Sequence, residues 1–530
     1  MLEESQEENK EPFSNESGGI QTLETEKEKK NTKICLISLL ILLLISIIFI
    51  IIVTSLLKPK EDNENNEKNE DNENNENNKK KFFGKLIAKY IVNKGNEKIL
   101  LFNQKYLSSI SSIKINENET LSQISNYYYF ESNGTYNVIF EINNTLEKMD
   151  EMFYNCKNLL EINFSLLKDI KPKSMIKTFS GCNSLSLINI SNIDTSNTIN
   201  MSGLFKKCSS LNSIDLSLIN ASKVKDISEM FSDCESLISI NLENFDTSNI
   251  ISMEGLFENC KLLTNISINN FKTNNVLDMS YMFYSCSSLT SLDLNNFETN
   301  NLKNMAFMFS GCSSLISLSI NNFDTSKVEN MVNTFAGCNQ LKNIDIKNFK
   351  TYNVINFFGI FSGCKSLTNI DLENFDVSNA KDLSAMFHQC ESLESINITN
   401  FKTSKTKYMN SMFEGCSSLT NIDLLNFDTS NVIDISYMFS GCSNLTSINL
   451  SNFSTEKLIN INQLFRDCFS LNYIDISSFN LKNITAYGIF YGLPDEGKIF
   501  LDTNIVSDDI MNEIPKKWEI IDKNESMENI

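Results

Sequence analysis

The sequence predicts an α/β solenoid of short helix-plus-strand coils, preceded by a single N-terminal transmembrane helix and a β-rich N-terminal cap. Three observations carry that expectation: a fixed cysteine interval, a change of apolar period inside each interval, and one long apolar run near the N-terminus. Apart from Cys35, the cysteines are Cys156, Cys182, Cys208, Cys234, Cys260, Cys286, Cys312, Cys338, Cys364, Cys390, Cys416, Cys442 and Cys468, and all twelve intervals are 26 residues. Every copy has Phe three residues before the Cys and Leu three residues after it. A unit this short cannot bury its own apolar faces, so a strict period of this length implies coils that stack to close a shared core.

In the coil around Cys286, Met279, Met282, Phe283 and Cys286 stand at i, i+3, i+4 and i+7, which predicts one face of a short helix. Leu292 and Leu294 then alternate with polar Ser291, Asp293 and Asn295, the period-two pattern of a half-buried strand. Asn295-Asn296 and Thr299-Asn300-Asn301 flank Phe297 and supply the turns that return the chain. The Asn row at positions such as Asn244, Asn270, Asn296 and Asn322 is expected to cap turn backbone between coils.

So many cysteines in a secreted domain would suggest a disulfide framework. Stacking argues otherwise. Equivalent residues in adjacent coils have near-parallel Cβ vectors about 4.8 Å apart, longer than the ~3.8 Å of a relaxed disulfide. The row is therefore expected to be buried free thiols acting as small hydrophobes.

Ile34 to Leu57, ICLISLLILLLISIIFIIIVTSLL, is an uncharged run of 24 residues. At about 1.5 Å per residue it is long enough to span a bilayer, and no small-residue cleavage site follows it. It reads as an uncleaved signal anchor and would make the membrane a partner of the chain. Lys27, Lys29, Lys30 and Lys33 precede it while Lys58, Lys60 and Lys68 follow, nearly a tie. The expected orientation is N-terminus in the cytosol and solenoid outside, with a membrane-tethered intracellular scaffold as the alternative. Cys35, at the membrane edge, is a candidate for palmitoylation.

The chain thus divides into a cytosolic tail (1–33), the transmembrane helix (34–57), a disordered Asn/Glu/Lys linker (58–81), the N-terminal cap (82–143), the solenoid (144–493) and a C-terminal cap and tail (494–530). Strands of the cap are expected at Ile87–Val92, Ile99–Phe102, Tyr127–Phe130 and Tyr136–Ile142. Pro494 stands where the next Cys would fall, and Trp518 is placed to cover the last coil.

The unit Asn426–Leu445, NFDTSNVIDISYMFSGCSNL, resembles the BspA-like leucine-rich repeat of surface proteins, the 26-residue type with M-x-x-M-F-x-x-C-x-x-L-x-x-[IL]-x-[LI]. The tail Gly497–Asp522 is similar to the closing segment of such arrays. The resemblance implies a leucine-rich repeat fold and an extracellular adhesive role toward a protein or cell-surface ligand. A surface coat without a dedicated ligand is the alternative.

Charge and motif content narrow the function classes. With 46 Lys+Arg against 66 Asp+Glu and a net charge of -20, nucleic acid is excluded as the main partner. The single histidine, His388, leaves no His-based metal cluster, and there is no Walker, GxGxxG, HExxH or GxSxG pattern. No catalytic residue, metal or cofactor is expected. The candidate ligand face is the polar position seven residues after each Cys, which includes Asp215, Asp293, Asp345, Asp371, Asp423 and Asp475. Against it stands the N-x-[ST] sequence beginning at Asn163, Asn189, Asn397 and Asn449 of the same row, where a glycan would obstruct the surface. Asp345 and Asp371 are the row's only Asp residues in adjacent coils, two carboxylates that by themselves do not make a cation site.

Overall fold

The structure is a computed structural model that describes residues 82–482, 484 and 486–524. The expected cytosolic tail, transmembrane helix, linker and Cys35 lie outside these residues. Among the described residues no helix is long and apolar enough to cross a membrane.

The N-terminal part contributes β1 (Gly84–Val92), β2 (Glu97–Leu100), β3 (Ile110–Ile115), β4 (Glu119–Thr120), β5 (Tyr127–Phe130) and β6 (Gly134–Ile142). The apolar runs expected at Ile87–Val92, Tyr127–Phe130 and Tyr136–Ile142 lie in β1, β5 and β6, while Ile99–Phe102 overlaps β2 only at Ile99 and Leu100. Strand β1 pairs antiparallel with β6 on one side and with the first coil strand, β7 (Leu159–Asn163), on the other. β7 then pairs in parallel with β8 (Leu187–Asn189). Alternation along β1 sends Leu86, Ala88, Tyr90 and Val92 inward, and the buried Tyr90 hydroxyl donates to the Leu101 carbonyl. This sheet covers the open end that a bare solenoid would expose.

The coils correct the α/β expectation, because none of them contains the expected helix. In the Cys312 coil the amides of Met305, Phe307, Phe309 and Gly311 donate to the carbonyls of Asn330, Val332, Thr334 and Ala336 in the next coil. The amides between them, on Met308, Ser310 and Cys312, close turns onto the carbonyls three residues back. A helix would direct every amide along its own axis; here alternate amides leave for the neighbouring coil. Two residues enforce this, five and one before the Cys, at positive φ: Phe307 at 57° and Gly311 at 77°. All thirteen coils hold both positions there. A left-handed residue every fourth position suits chained turns and interrupts an α-helix. The turns still bring i, i+3, i+4 and i+7 to one side, so Met305, Met308, Phe309 and Cys312 are fully buried. The array is a β-solenoid of turn ribbons.

The strand side is sparser than expected. Besides β7 and β8, only β9 (Ser213–Asp215), β10 (Ser239–Asn241), β11 (Ser291–Asp293), β12 (Ser317–Ser319), β13 (Ser447–Asn449) and β14 (Tyr473–Asp475) form among the thirteen coils. β9 with β10 and β11 with β12 are isolated parallel pairs.

Inside, the Phe rings of successive coils stack at 5.6–6.0 Å. The spine starts at Phe140 of β6 and ends at Phe490. Phe490 follows Phe465 by 25 residues, as Lys498 follows its partner Tyr473. The register therefore continues past the last Cys with one residue deleted, so Leu493, not Pro494, takes the next Cys place. Strands β15 (Lys498–Leu501) and β16 (Glu519–Asp522) extend the β13–β14 ladder, with helix α1 (Asp508–Glu513) between them. Trp518 closes this end: it is buried, and its Nε1–H donates to the Pro494 carbonyl at 2.8 Å. Gly497 lies under the indole, where a Cβ would come within 2.7 Å of the ring.

Candidate functional site

The polar row seven residues after each Cys ends the strand side of each coil. Asp215, Asp293, Asp345, Asp371 and Asp423 are exposed and Asp475 is half-buried. Their Oδ1 atoms accept the amide two residues on: Ser217 for Asp215 (2.9 Å), Asn295 for Asp293 (3.0 Å), Glu373 for Asp371 (3.1 Å), Leu425 for Asp423 (3.0 Å) and Ser477 for Asp475 (3.0 Å). Asn163, Asn189, Asn241, Asn397 and Asn449 do the same. The row therefore has a structural task, the Asx turn that takes the chain off the sheet, which explains why only short side-chain acceptors occupy most of it. Asp345 departs from this and pairs with Lys347 at 3.5 Å. Among the described residues no group of three or more His, Cys, Asp or Glu is placed to hold a metal ion. Leu187, Ile238 and Ile316 stand exposed beside the acidic row.

All thirteen solenoid cysteines are buried free thiols. From Cys182 to Cys468 each Sγ–H donates to the carbonyl of the Phe in the preceding coil at 3.0–3.3 Å, as Cys312 does to Phe283. Burial pushes the thiols up, to about 12 for Cys234, Cys312, Cys364, Cys416 and Cys468. A thiol kept protonated in apolar surroundings is neither nucleophile nor metal ligand. The ladder is packing.

The Asn caps lie where the sequence places them. Asn270 donates to the carbonyls of Leu242 and Glu243, and Asn296 to that of Asn269. A second row escaped the sequence reading. Buried Thr247, Thr299, Thr325 and Thr351 each donate to a carbonyl of the next coil and accept the amide of the same residue, Thr299 at 3.2 and 2.8 Å with Asp324. The recurring Asp-Thr-Ser of the turn is the signal that marks it.

His388 is half-buried on the outer turn surface, Nδ1 3.1 Å from Ser362 Oγ and Nε2 3.9 Å from Glu414 Oε2. The three side chains are equivalent positions of successive coils, and the Glu distance is beyond a hydrogen bond, so no acid fixes the ring as a base. Also unforeseen is a cavity of about 500 Å³ in the last coils, lined by Gln463, Arg466, Tyr487, Gly488, Tyr491 and Glu513. Arg466 is the chain's single arginine, a singularity visible in the sequence. Its guanidinium lies 5.5 Å from the Tyr491 ring centroid and donates to Gln463 and Asp467, while Glu513 accepts the amides of Gly488 and Ile489. Its charges are thus largely spent on closing the array, although exposed Tyr487 and Tyr491 keep an aromatic rim.

Comparison with known proteins sets this geometry in a family. Residues 147–241, 237–328, 314–420 and 393–495 each match the family described as "Mycoplasma protein of unknown function, DUF285". Among solved structures, the crystal structure of a leucine-rich repeat protein from Eubacterium ventriosum ATCC 27560 is similar, with 18% identity, a TM-score of 0.36, and coverage of 63% of this chain and 90% of that one. No curated protein matches. With the matches running unbroken through the solenoid, the chain belongs to this DUF285 family.

Proposed function

We propose that this is a non-enzymatic, membrane-anchored surface protein whose solenoid recognises a protein partner or cell surface along its sheet face. The observation that carries the reading is the row from Asp215 to Asp475: a carboxylate, amide or hydroxyl at every coil, exposed at all but the half-buried Ser319 and Asp475, at a fixed pitch, on a scaffold with no buried unsatisfied side-chain polar atom among the described residues. Such a row suits a partner that presents basic groups at a matching repeat. Each contact would be weak, and several coils engaged at once would add up. Exposed Ile238 and Ile316 beside the row supply apolar contact. The resemblance to BspA-like surface proteins supports placement outside the cell, and the apolar run at 34–57 supports the anchor.

The test exploits the Asx geometry. Asn already fills the same turn at Asn241 and Asn449, so Asp→Asn at 215, 293, 371, 423 and 475, in protein produced without N-glycosylation because positions 215 and 475 would then head N-x-Ser sequences, removes five charges while keeping the acceptor. In the full-length chain, binding to a panel of matrix proteins and intact cells is expected to fall at least about tenfold and to be salt-sensitive, with Tm unchanged. Unchanged binding with all five charges gone contradicts the reading.

A further inference from the structure

Each coil also carries an edge that the net charge hides. The residues eleven and nine before each Cys flank a buried one, as Lys223 and Lys225 flank Val224 and Asn301 and Lys303 flank Leu302, so both point outward on the same side. Backbone bonds make the inner row continuous from coil to coil: Lys225 to Ile199 (2.8 Å), Ile251 to Lys225 (2.7 Å), Leu277 to Ile251 (2.8 Å) and Lys303 to Leu277 (2.9 Å). The inner row holds Lys173, Lys225, Lys303, Lys381 and Lys407, and the outer row holds five more lysines. Against these ten stand only Glu147 and Glu329, so the stripe carries 10 − 2 = +8 in a chain whose net charge is -20.

The inner row also presents aliphatic side chains to water: Ile199, Ile251, Leu277 and Ile355 between its lysines and Ile459 beyond the last of them, 40–71% exposed. Among the described residues Lys225, Lys381 and Lys407 form no salt bridge. Outer-row Lys223, Lys327, Lys405 and Lys457 donate to the Asn of the preceding coil, which holds their ammonium groups at the surface. The neighbouring carboxylates of Asp226, Asp278, Asp382 and Asp434 are half-buried and occupied by the amides of Ser228, Ser280, Ser384 and Ser436.

We infer that this stripe is a docking edge for an anionic lipid surface. Lysines interspersed with one or two aliphatic side chains along the row combine electrostatic attraction to acidic headgroups with shallow apolar insertion. A protein partner would favour a contiguous apolar centre with aromatic anchors, which this stripe lacks. The inference is independent of the acidic sheet face, which uses other residues.

The test is lysine footprinting of the full-length chain in phosphatidylcholine nanodiscs with and without phosphatidylglycerol, using pulsed acetylation read by peptide mass spectrometry. Acetylation of Lys225, Lys381 and Lys407 is expected to fall about fivefold in the anionic discs only and to recover at high salt, while Lys342 and Lys347 keep their rates. The variant K225E/K303E/K381E/K407E should lose the lipid-dependent protection of Lys223 and Lys327, with unchanged rates at Lys342 and Lys347 reporting an intact fold. Equal labelling in both discs, equal protection by neutral lipid, or protection shared by Lys342 and Lys347 would overturn the inference.

Discussion

The two sides of one coil are held together by different means. On the turn-ribbon side each of the thirteen coils keeps its Phe, its buried Cys and its two left-handed residues, and alternate amides bind the next coil. On the sheet side only eight coils carry a strand, of three residues in all but the first, and the parallel ladder is broken into short groups. Cohesion therefore resides in the ribbon, and the sheet side is left free to vary its surface. The comparison teaches that a solenoid with a regular core need not have a regular sheet, and that substitutions on the two sides should differ in kind.

The largest expected effect is collective and alkaline. A thiol whose folded pKa is raised stays protonated in the fold, whereas in the unfolded chain it ionises above about pH 9. The stabilisation is complete below that pH and is lost as pH rises toward 12, by about 1.4 kcal/mol per pH unit for each such thiol. Denaturant midpoints should fall steeply between pH 9 and 11; a flat profile would mean that the thiols are not buried together. Next comes the spine: Phe309→Ala should cost about 3–5 kcal/mol in chemical denaturation, against less than about 0.5 kcal/mol for exposed Ile238→Ser on the sheet side. Thr299→Val, which leaves the Asp324 amide without its acceptor, should cost about 1–3 kcal/mol. Val377 holds the equivalent place naturally, so Val377→Thr measures the same bonds in reverse. Gly363→Ala, at φ 72° and with the new Cβ 3.4 Å from Gly337 backbone, should cost about 1–2 kcal/mol. Smallest is Asp293→Asn, within about 0.5 kcal/mol by thermal melting because the Asx acceptor survives.

What the sequence made legible follows from strict repetition. Period, stacked Phe, free thiols, Asn caps and the β character of residues 82–143 were all readable, because each depends on which residue types recur at which interval. The turn ribbon was not, because chained turns and an α-helix bury the same i, i+3, i+4 and i+7 positions. The discriminating signal was present one residue before the Cys, where Gly181, Gly311, Gly337, Gly363, Gly415 and Gly441 recur with Asn155, Asn259, Asp233 and Asp467. These types tolerate positive φ, and Gly weakens a helix interior. The Asx bonds of the acidic row became visible only with backbone geometry. The Lys-aliphatic edge was masked by the net charge, which sums over faces that point in different directions.

Hydrogen exchange resolved by peptide tests the central claim most directly. Ribbon amides such as those of Phe307, Phe309 and Gly311 should exchange only through global opening, while the strand-side amides of the strandless Cys260, Cys338, Cys364, Cys390 and Cys416 coils exchange orders of magnitude faster. Equal protection on both sides, or slower exchange on the sheet side, would contradict the assignment of cohesion to the turn ribbon.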